Sequence, residues 1–143
     1  MTTDLNDAIY DKIDVLSDEG DAFAESEKFD LALEKFKEAL SLIPDPKTEW
    51  EPSTWLYASI GDMYFNKNDF ASAADAFRNA VNCPEGNTNP FILLRLGECL
   101  YETNDMAGAK EHLLQAYSLE SADIFEEEDP KYFALIKADL KNA

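Results

Sequence analysis

The chain has 143 residues, which is one ordinary domain's length, and 45% of them are hydrophobic. Its 30 acidic and 12 basic residues give a formal net charge of −18, which disfavours nucleic acids and anionic membrane surfaces as partners. No stretch approaches the roughly 20 apolar residues of a membrane span, and the N-terminus lacks the basic and apolar regions of a secretory signal. We therefore expect a folded cytoplasmic protein that binds neither nucleic acid nor membrane.

Three segments of the chain share one spacing of small and large residues. Each begins at a glycine, namely Gly20, Gly61 or Gly97, and an alanine, a large apolar residue and a second alanine follow after 12, 16 and 19 residues. These positions are Ala32, Ala73 and Ala109; Phe36, Phe77 and Leu113; and Ala39, Ala80 and Ala116. The register predicts three repeated units, in which small residues let two helices approach closely and the large residue fills the gap.

Each unit has the pattern of two helices joined by a tight turn. In the second unit an apolar helical stripe covers residues 55–66, Asn68-Asp69 marks a turn, and a second helix follows until Cys83-Pro84. The third unit turns at Asn104-Asp105. Asparagine suits such turns because it tolerates left-handed backbone better than most residues do.

A last helix is predicted after the acidic run at residues 126–129. Asp129 suits an N-cap and Pro130 the first helical position, so we expect a helix that covers the open face of the third unit. The acidic run lacks the alternation and the turning glycine of a calcium loop.

The residues offer little for catalysis or metal binding. His112 is the one histidine, and there is no phosphate-binding glycine loop, no serine in a nucleophile elbow and no CxxC pair. Cys83 and Cys99 lie far apart, which favours two packed thiols in a reducing compartment over a disulfide. We therefore expect a binding protein without cofactor or metal, and not an enzyme.

The register resembles that of the tetratricopeptide repeat (TPR), a 34-residue helix–turn–helix unit, over about residues 13–122. The first unit carries the fullest match, with Leu16, Gly20, Phe23, Ala32, Phe36, Ala39 and Pro44 at the signature places. The resemblance implies an all-α, right-handed α-solenoid of three TPR-like hairpins plus a C-terminal capping helix. We expect one domain over residues 1–143, with repeats at about 13–46, 54–87 and 90–122 and the capping helix at about 129–141.

The resemblance also implies a concave groove lined by the first helix of each pair. The groove positions are Asp14, Ser17, Asp21 and Glu25 in the first unit; Trp55, Asp62, Phe65 and Asn66 in the second; and Phe91, Glu98, Tyr101 and Glu102 in the third. A surface of carboxylates and aromatic rings suits a basic protein or peptide. The alternative is that the rings pack between repeats and the acids only keep the protein soluble.

One function of the family is disfavoured by the same positions. TPR cofactors of chaperones hold a peptide's terminal carboxylate with lysine and asparagine, whereas Ser17, Asp21, Ala58 and Asp62 stand at the corresponding places here. Carboxylates facing a carboxylate would repel it.

A narrower resemblance covers about residues 44–136. The segments PKTEWEPSTW, GNTNPFILLRLG and IFEEEDPKYF are similar to those of small bacterial TPR proteins associated with polymorphic (Rhs-type) toxin loci. This similarity implies a cytosolic immunity protein that neutralises a toxin domain. A generic TPR adaptor and a secretion chaperone are the other two hypotheses, and the sequence leaves the choice among them and the oligomeric state open.

Overall fold

The structure of the protein, a computed structural model, describes residues 6–141. It contains seven α-helices in that part of the chain and no strand, which confirms the all-α prediction. The helices are α1 (Asp7–Glu25), α2 (Phe29–Ser41), α3 (Glu51–Asn66), α4 (Phe70–Val81), α5 (Pro90–Glu102), α6 (Met106–Glu120) and α7 (Pro130–Lys141). None of these helices is long and apolar enough to cross a membrane. Residues 1–5, the start of the polar N-terminal segment, lie outside the described residues.

The helix ends follow from short polar side chains and left-handed turns. The side chains of Asn6, Asp69 and Asp105 each accept a hydrogen bond from a backbone N–H of the first turn of α1, α4 and α6, respectively. Asn68 and Asn104 adopt positive φ angles of 63° and 69° between the two helices of a hairpin, which confirms the turns predicted there. Glu27 occupies the same place in the first hairpin with a φ of 59°.

The two helices of each hairpin pack most closely where a glycine of the first helix contacts a large side chain of the second. A Cβ placed on Gly20 would lie 2.6 Å from the ring of Phe36, and one on Gly61 would lie 2.7 Å from the ring of Phe77. Gly97 stands equally close to Leu113. The predicted role of the small residues is therefore confirmed, since no side chain fits between these helices.

The core runs along the stack of helices as three adjoining clusters. The first joins α1 and α2 to α3, the second joins α3 and α4 to α5, and the third joins α5 and α6 to α7. Ile136 of α7 is fully buried in the third cluster, so α7 covers the apolar end of the third hairpin. Asp129 precedes α7 and accepts a hydrogen bond from the Lys131 N–H at 3.0 Å, as its predicted N-cap role requires.

Candidate functional site: the groove along α1, α3 and α5

The first helices of the three hairpins, α1, α3 and α5, carry all twelve residues predicted for partner binding. The structure divides this surface, called the groove here, into two chemically different ends. Near α5 the carboxylates are paired with basic residues of the chain itself. Near α1 they face solvent beside an exposed tryptophan.

The α5 end is organised around Arg95, which is not among the predicted binding residues. Its Nη1 donates hydrogen bonds to Glu98, at 2.7 Å, and to Glu128, and its Nε lies 3.6 Å from Asp62. We call Asp62, Arg95, Glu98 and Glu128 the Arg95 cluster. It joins α3, α5 and the segment before α7, so these three parts of the chain share one polar contact.

Two aromatic rings complete the surroundings of this arginine. Its Cζ atom lies 4.6 Å from the ring centre of Phe65 and 4.9 Å from that of Phe91, which are cation–π distances. Phe65 and Phe91, both predicted to meet a partner, therefore already contact a cation of the same chain, although 41% of Phe91 remains exposed.

Glu98 is not available to a partner in this structure. Its side chain is fully buried, whereas the groove positions of the sequence analysis imply an accessible carboxylate. Burial raises the pKa of Glu98 to about 8, and the adjacent Glu128 adds to the rise, whereas Arg95 opposes it. Burial also raises the pKa of Asp62 to about 6, against the lowering effect of Arg95. Glu98 is thus enclosed in the interior, and the partly exposed Asp62 is engaged with Arg95.

The C-terminal helix covers the remaining predicted residues of α5. Lys131 of α7 forms a 2.8 Å salt bridge with Glu102, and the Tyr132 hydroxyl donates a 2.8 Å hydrogen bond to the same carboxylate. The rings of Tyr101 and Tyr132 meet edge to face with centroids 5.3 Å apart. The capping segment therefore supplies to Glu102 the basic contact that a partner was expected to bring.

The α1 end is open and contains a cleft of about 400 Å³ between α1 and α3. Asp14, Ser17, Asp21 and Trp55 of the predicted set line it, and Trp55 is 57% exposed. Tyr10, Ile13, Glu51 and Ser59 also line it and were not predicted. The volume falls in the range of small ligand sites, roughly 300–1,000 Å³. Predicted residues Glu25 and Asn66 are exposed outside this cleft.

Asp14 and Asp21 at this end are not neutralised by the described part of the chain. Within residues 6–141 no basic side chain forms a salt bridge with Asp14 or Asp21. Partial desolvation raises the pKa of Asp21, and the negative charges of Asp18 and Glu25 raise it further. A cation that enters the cleft would relieve this repulsion.

The remaining candidates for chemistry, His112 and the two cysteines, have structural roles. The Nδ1 atom of His112 donates to the Gly108 carbonyl of its own helix at 2.9 Å. Cys83 and Cys99 are both buried as thiols, as expected, and burial raises the pKa of Cys99 to about 12. No group of three or more His, Cys, Asp or Glu side chains in the described part of the chain is arranged to hold a metal ion.

Helical spacing within α5 could have predicted that Arg95 belongs to the site. Its partner Glu128, from the segment before α7, could be found only from the fold. Arg95 lies four residues after Phe91 and three before Glu98, which places all three on one face of α5. Glu128 is 33 residues away in the chain, and no local pattern connects it to Arg95.

Comparison with known proteins identifies the repeats. The family model described as tetratricopeptide repeat matches residues 56–82 and 92–123, while no curated protein sequence matches the chain.

Solved structures share the fold at low sequence identity. The type III secretion chaperone SycD of Yersinia enterocolitica, in complex with a peptide of the translocator YopD, has a TM-score of 0.72 and 17% identity, covering 96% of this chain and 100% of that one. The N-terminal domain of stress-induced protein-1 from C. elegans has a TM-score of 0.70 and 19% identity, with 93% and 98% covered. The first TPR of Spaghetti (RPAP3), bound to an HSP90 peptide, has a TM-score of 0.68 and 16% identity, with 92% and 93% covered.

The sequence matches and the helical architecture lead to one assignment. TPR units serve as protein-interaction modules, and three helix hairpins with a capping helix build the solenoid seen here. The tetratricopeptide-repeat model thus accounts for residues 56–82 and 92–123, and the chain has the all-helical, TPR-like solenoid fold of these solved structures.

Proposed function

We propose that the protein binds a basic protein segment at the α1 end of its groove, and that its partner is a toxin domain which it neutralises. The observation that carries the proposal is the contrast between the two ends of the groove. Arg95 and Lys131 compensate the carboxylates near α5, whereas Asp14 and Asp21 stand beside the exposed Trp55 without a cation of the chain's described part.

Each part of this surface has a separate role in binding. The carboxylates attract a basic partner and speed its approach, while the tryptophan provides apolar contact area that slows its release. The immunity role is supported by the narrower sequence resemblance alone. The basic character that toxins acting on nucleic acids often have would match the charge of −18.

The experiment is co-expression with the product of the adjacent gene, followed by pull-down and a growth-rescue assay. We expect the neighbour to be toxic alone, harmless in the presence of this protein and bound to it in a salt-sensitive complex. A harmless neighbour, or a toxic one that is neither bound nor neutralised, would contradict the immunity proposal.

Surface variants test the site independently of the partner's identity. Asp14→Lys with Asp21→Lys should mainly slow association, and Trp55→Ala should speed dissociation. The matched control is Glu34→Lys on the exposed side of α2, which should leave both rates unchanged. Equal effects of the groove and control variants would contradict use of the groove.

The alternative is a secretion chaperone, which the likeness of the fold to SycD along nearly the whole chain favours. In that case the adjacent gene product would be an exported protein that is stabilised in solution by this chain and is not toxic. The same co-expression therefore separates the two candidates.

A further inference from the structure

We propose that the α1–α3 cleft is a receptor for an arginine side chain of the partner, with Trp55 and Asp21 as its main contacts. This inference rests on the proposed function, because it names the chemistry of the segment that the groove takes. Its basis is a difference between equivalent positions of two successive repeats.

The Arg95 cluster shows how this fold surrounds a guanidinium group. Arg95 of α5 stacks on Phe91, four residues earlier in its own helix, and pairs with Glu98, three residues later. It also reaches Asp62 of the preceding first helix, α3. The required parts are therefore a ring, a carboxylate of the same helix and a carboxylate of the helix before.

One repeat earlier, the ring and the carboxylate of the helix before are present without an arginine, whereas the carboxylate of the same helix, Asp62, is already paired with Arg95. The glycines at 61 and 97 set an offset of 36 residues, so Trp55 corresponds to Phe91, Asp62 to Glu98 and Ser59 to Arg95. The offset of 41 between Gly20 and Gly61 makes Asp21 of α1 the counterpart of Asp62. Ser59, Asp21 and Trp55 line the same cleft.

The cleft is thus the consequence of a short side chain at position 59. Serine leaves the volume that an arginine of the chain fills in the next repeat, and it leaves Trp55 exposed at 57% where Phe91 is exposed at 41%. An arginine from a partner could stack on the indole and pair with Asp21, whose pKa is raised by partial desolvation and by the negative charges of Asp18 and Glu25.

Arginine is favoured over lysine by the geometry of these contacts. A planar guanidinium stacks on an aromatic face while it hydrogen-bonds a carboxylate at its edge, which a compact ammonium group does less well. The cleft is also lined by Tyr10 and Ile13, which can cover the aliphatic part of the side chain.

The first test uses N-acetyl-arginine amide as the probe, with the lysine and citrulline amides for comparison. The indole N–H signals of Trp55 and Trp50 are followed by two-dimensional NMR and assigned with Trp55→Phe. We expect the Trp55 signal to shift in the order arginine, lysine, citrulline, with little or no shift for the uncharged citrulline, while the Trp50 signal stays in place. Equal shifts for arginine and citrulline, or none at all, would overturn the proposal.

Variants at three positions separate the contacts. Trp55→Leu should weaken arginine binding about two- to fivefold, the range expected for an exposed cation–π contact. Asp21→Asn should weaken binding of the arginine amide and reduce the preference of the cleft for the arginine amide over the citrulline amide. Ser59→Arg should abolish it by placing an internal arginine in the cleft, whereas Ser59→Ala should preserve it. If Ser59→Arg fails to fold, the Asp21→Asn and Ser59→Ala results still decide the question.

The outcome is distinguishable from failure of the proposed function. If the arginine amide binds at Trp55 but the adjacent gene product does not bind the protein, the cleft is an arginine site and the immunity role is contradicted. If the adjacent product binds and its affinity is unchanged by both Ser59→Arg and Trp55→Leu, the cleft assignment is wrong.

Discussion

Glu128, in the segment before α7, accepts a hydrogen bond from the same Nη1 atom of Arg95 that bonds Glu98. One guanidinium thus holds two carboxylates 30 residues apart in sequence, and the aromatic rings of Phe65 and Phe91 flank it. This arrangement explains why a groove with so many acidic positions exposes only part of them to a partner.

Removing the cation should destabilise the protein more than removing a typical surface charge. Arg95→Met leaves the partly buried Asp62 and Glu128 without their counter-ion and the buried Glu98 without its hydrogen-bond donor, and breaking a buried ion pair costs roughly 3–5 kcal/mol. Urea unfolding followed by circular dichroism measures the loss. The matched control is Arg78→Met, whose exposed salt bridge with Asp75 should contribute about 1 kcal/mol or less. Similar costs for both variants would contradict the structural role of Arg95.

Stability should fall as the pH rises from about 5 to 9. The pKa of Glu98 is about 8 in the folded protein against an ordinary value of 4.5, so the folded state binds the proton that the unfolded state has released. The loss should be on the order of 2–4 kcal/mol. Unfolding free energies measured across this range check the slope.

Glu98→Gln provides the control for that pH dependence. The amide keeps the shape of the side chain but cannot ionise, so the slope above pH 6 should become much smaller. An unchanged slope would assign the pH dependence to other groups.

The contact between Gly61 and Phe77 should not tolerate a methyl group. A Cβ at position 61 would lie 2.7 Å from the buried Phe77 ring, so Gly61→Ala should cost roughly 1–3 kcal/mol despite the better helix propensity of alanine. Gly108→Ala is the control, because the atoms it would meet belong to the exposed side chain of Asp105. We expect that change to stay within about 1 kcal/mol, since helix propensity and the disturbed cap offset each other. Thermal unfolding compares the two variants.

The capping role of α7 should appear as a loss of stability on truncating one buried side chain. Ile136 has no exposed surface, so Ile136→Ala should cost about 2–5 kcal/mol, whereas Lys137→Ala on the exposed side of the same helix should change stability by less than about 0.5 kcal/mol. Denaturant unfolding measures both. A neutral effect of Ile136→Ala would mean that α7 does not cover the third hairpin in solution.

The sequence predicted the fold well because its main features are local. The spacing of Gly61, Ala73 and Phe77 reports a helix crossing within one hairpin, and Asn68 reports the turn between its helices. Two local details were missed for physical reasons. The apolar stripe begins at Trp55, but α3 begins at Glu51 because proline is well accommodated in a first helical turn. Glu27 adopts a left-handed backbone conformation, which the residue type glutamate does not predict.

The candidate site was predictable only in part, because its charges are paired over long distances. The resemblance to the TPR family implied which residues belong to the groove, and Asp21 and Trp55 do line the cleft. Glu98 shares the Nη1 atom of Arg95 with Glu128, and Glu102 is paired with Lys131. Both Glu128 and Lys131 come from a segment about 30 residues further on. Residue spacing within a repeat contains no information about such partners.

The Arg95 cluster also affects how the molecule unfolds locally. A stack of helical hairpins in which each touches only its neighbours can open one hairpin at a time, beginning at an end. The cluster ties α3 and α5 to the segment before α7, so the second and third hairpins and the capping helix should open as one cooperative unit. Amide hydrogen exchange should then report two levels of protection, a lower one in α1 and α2 and a higher, shared one from α3 onward.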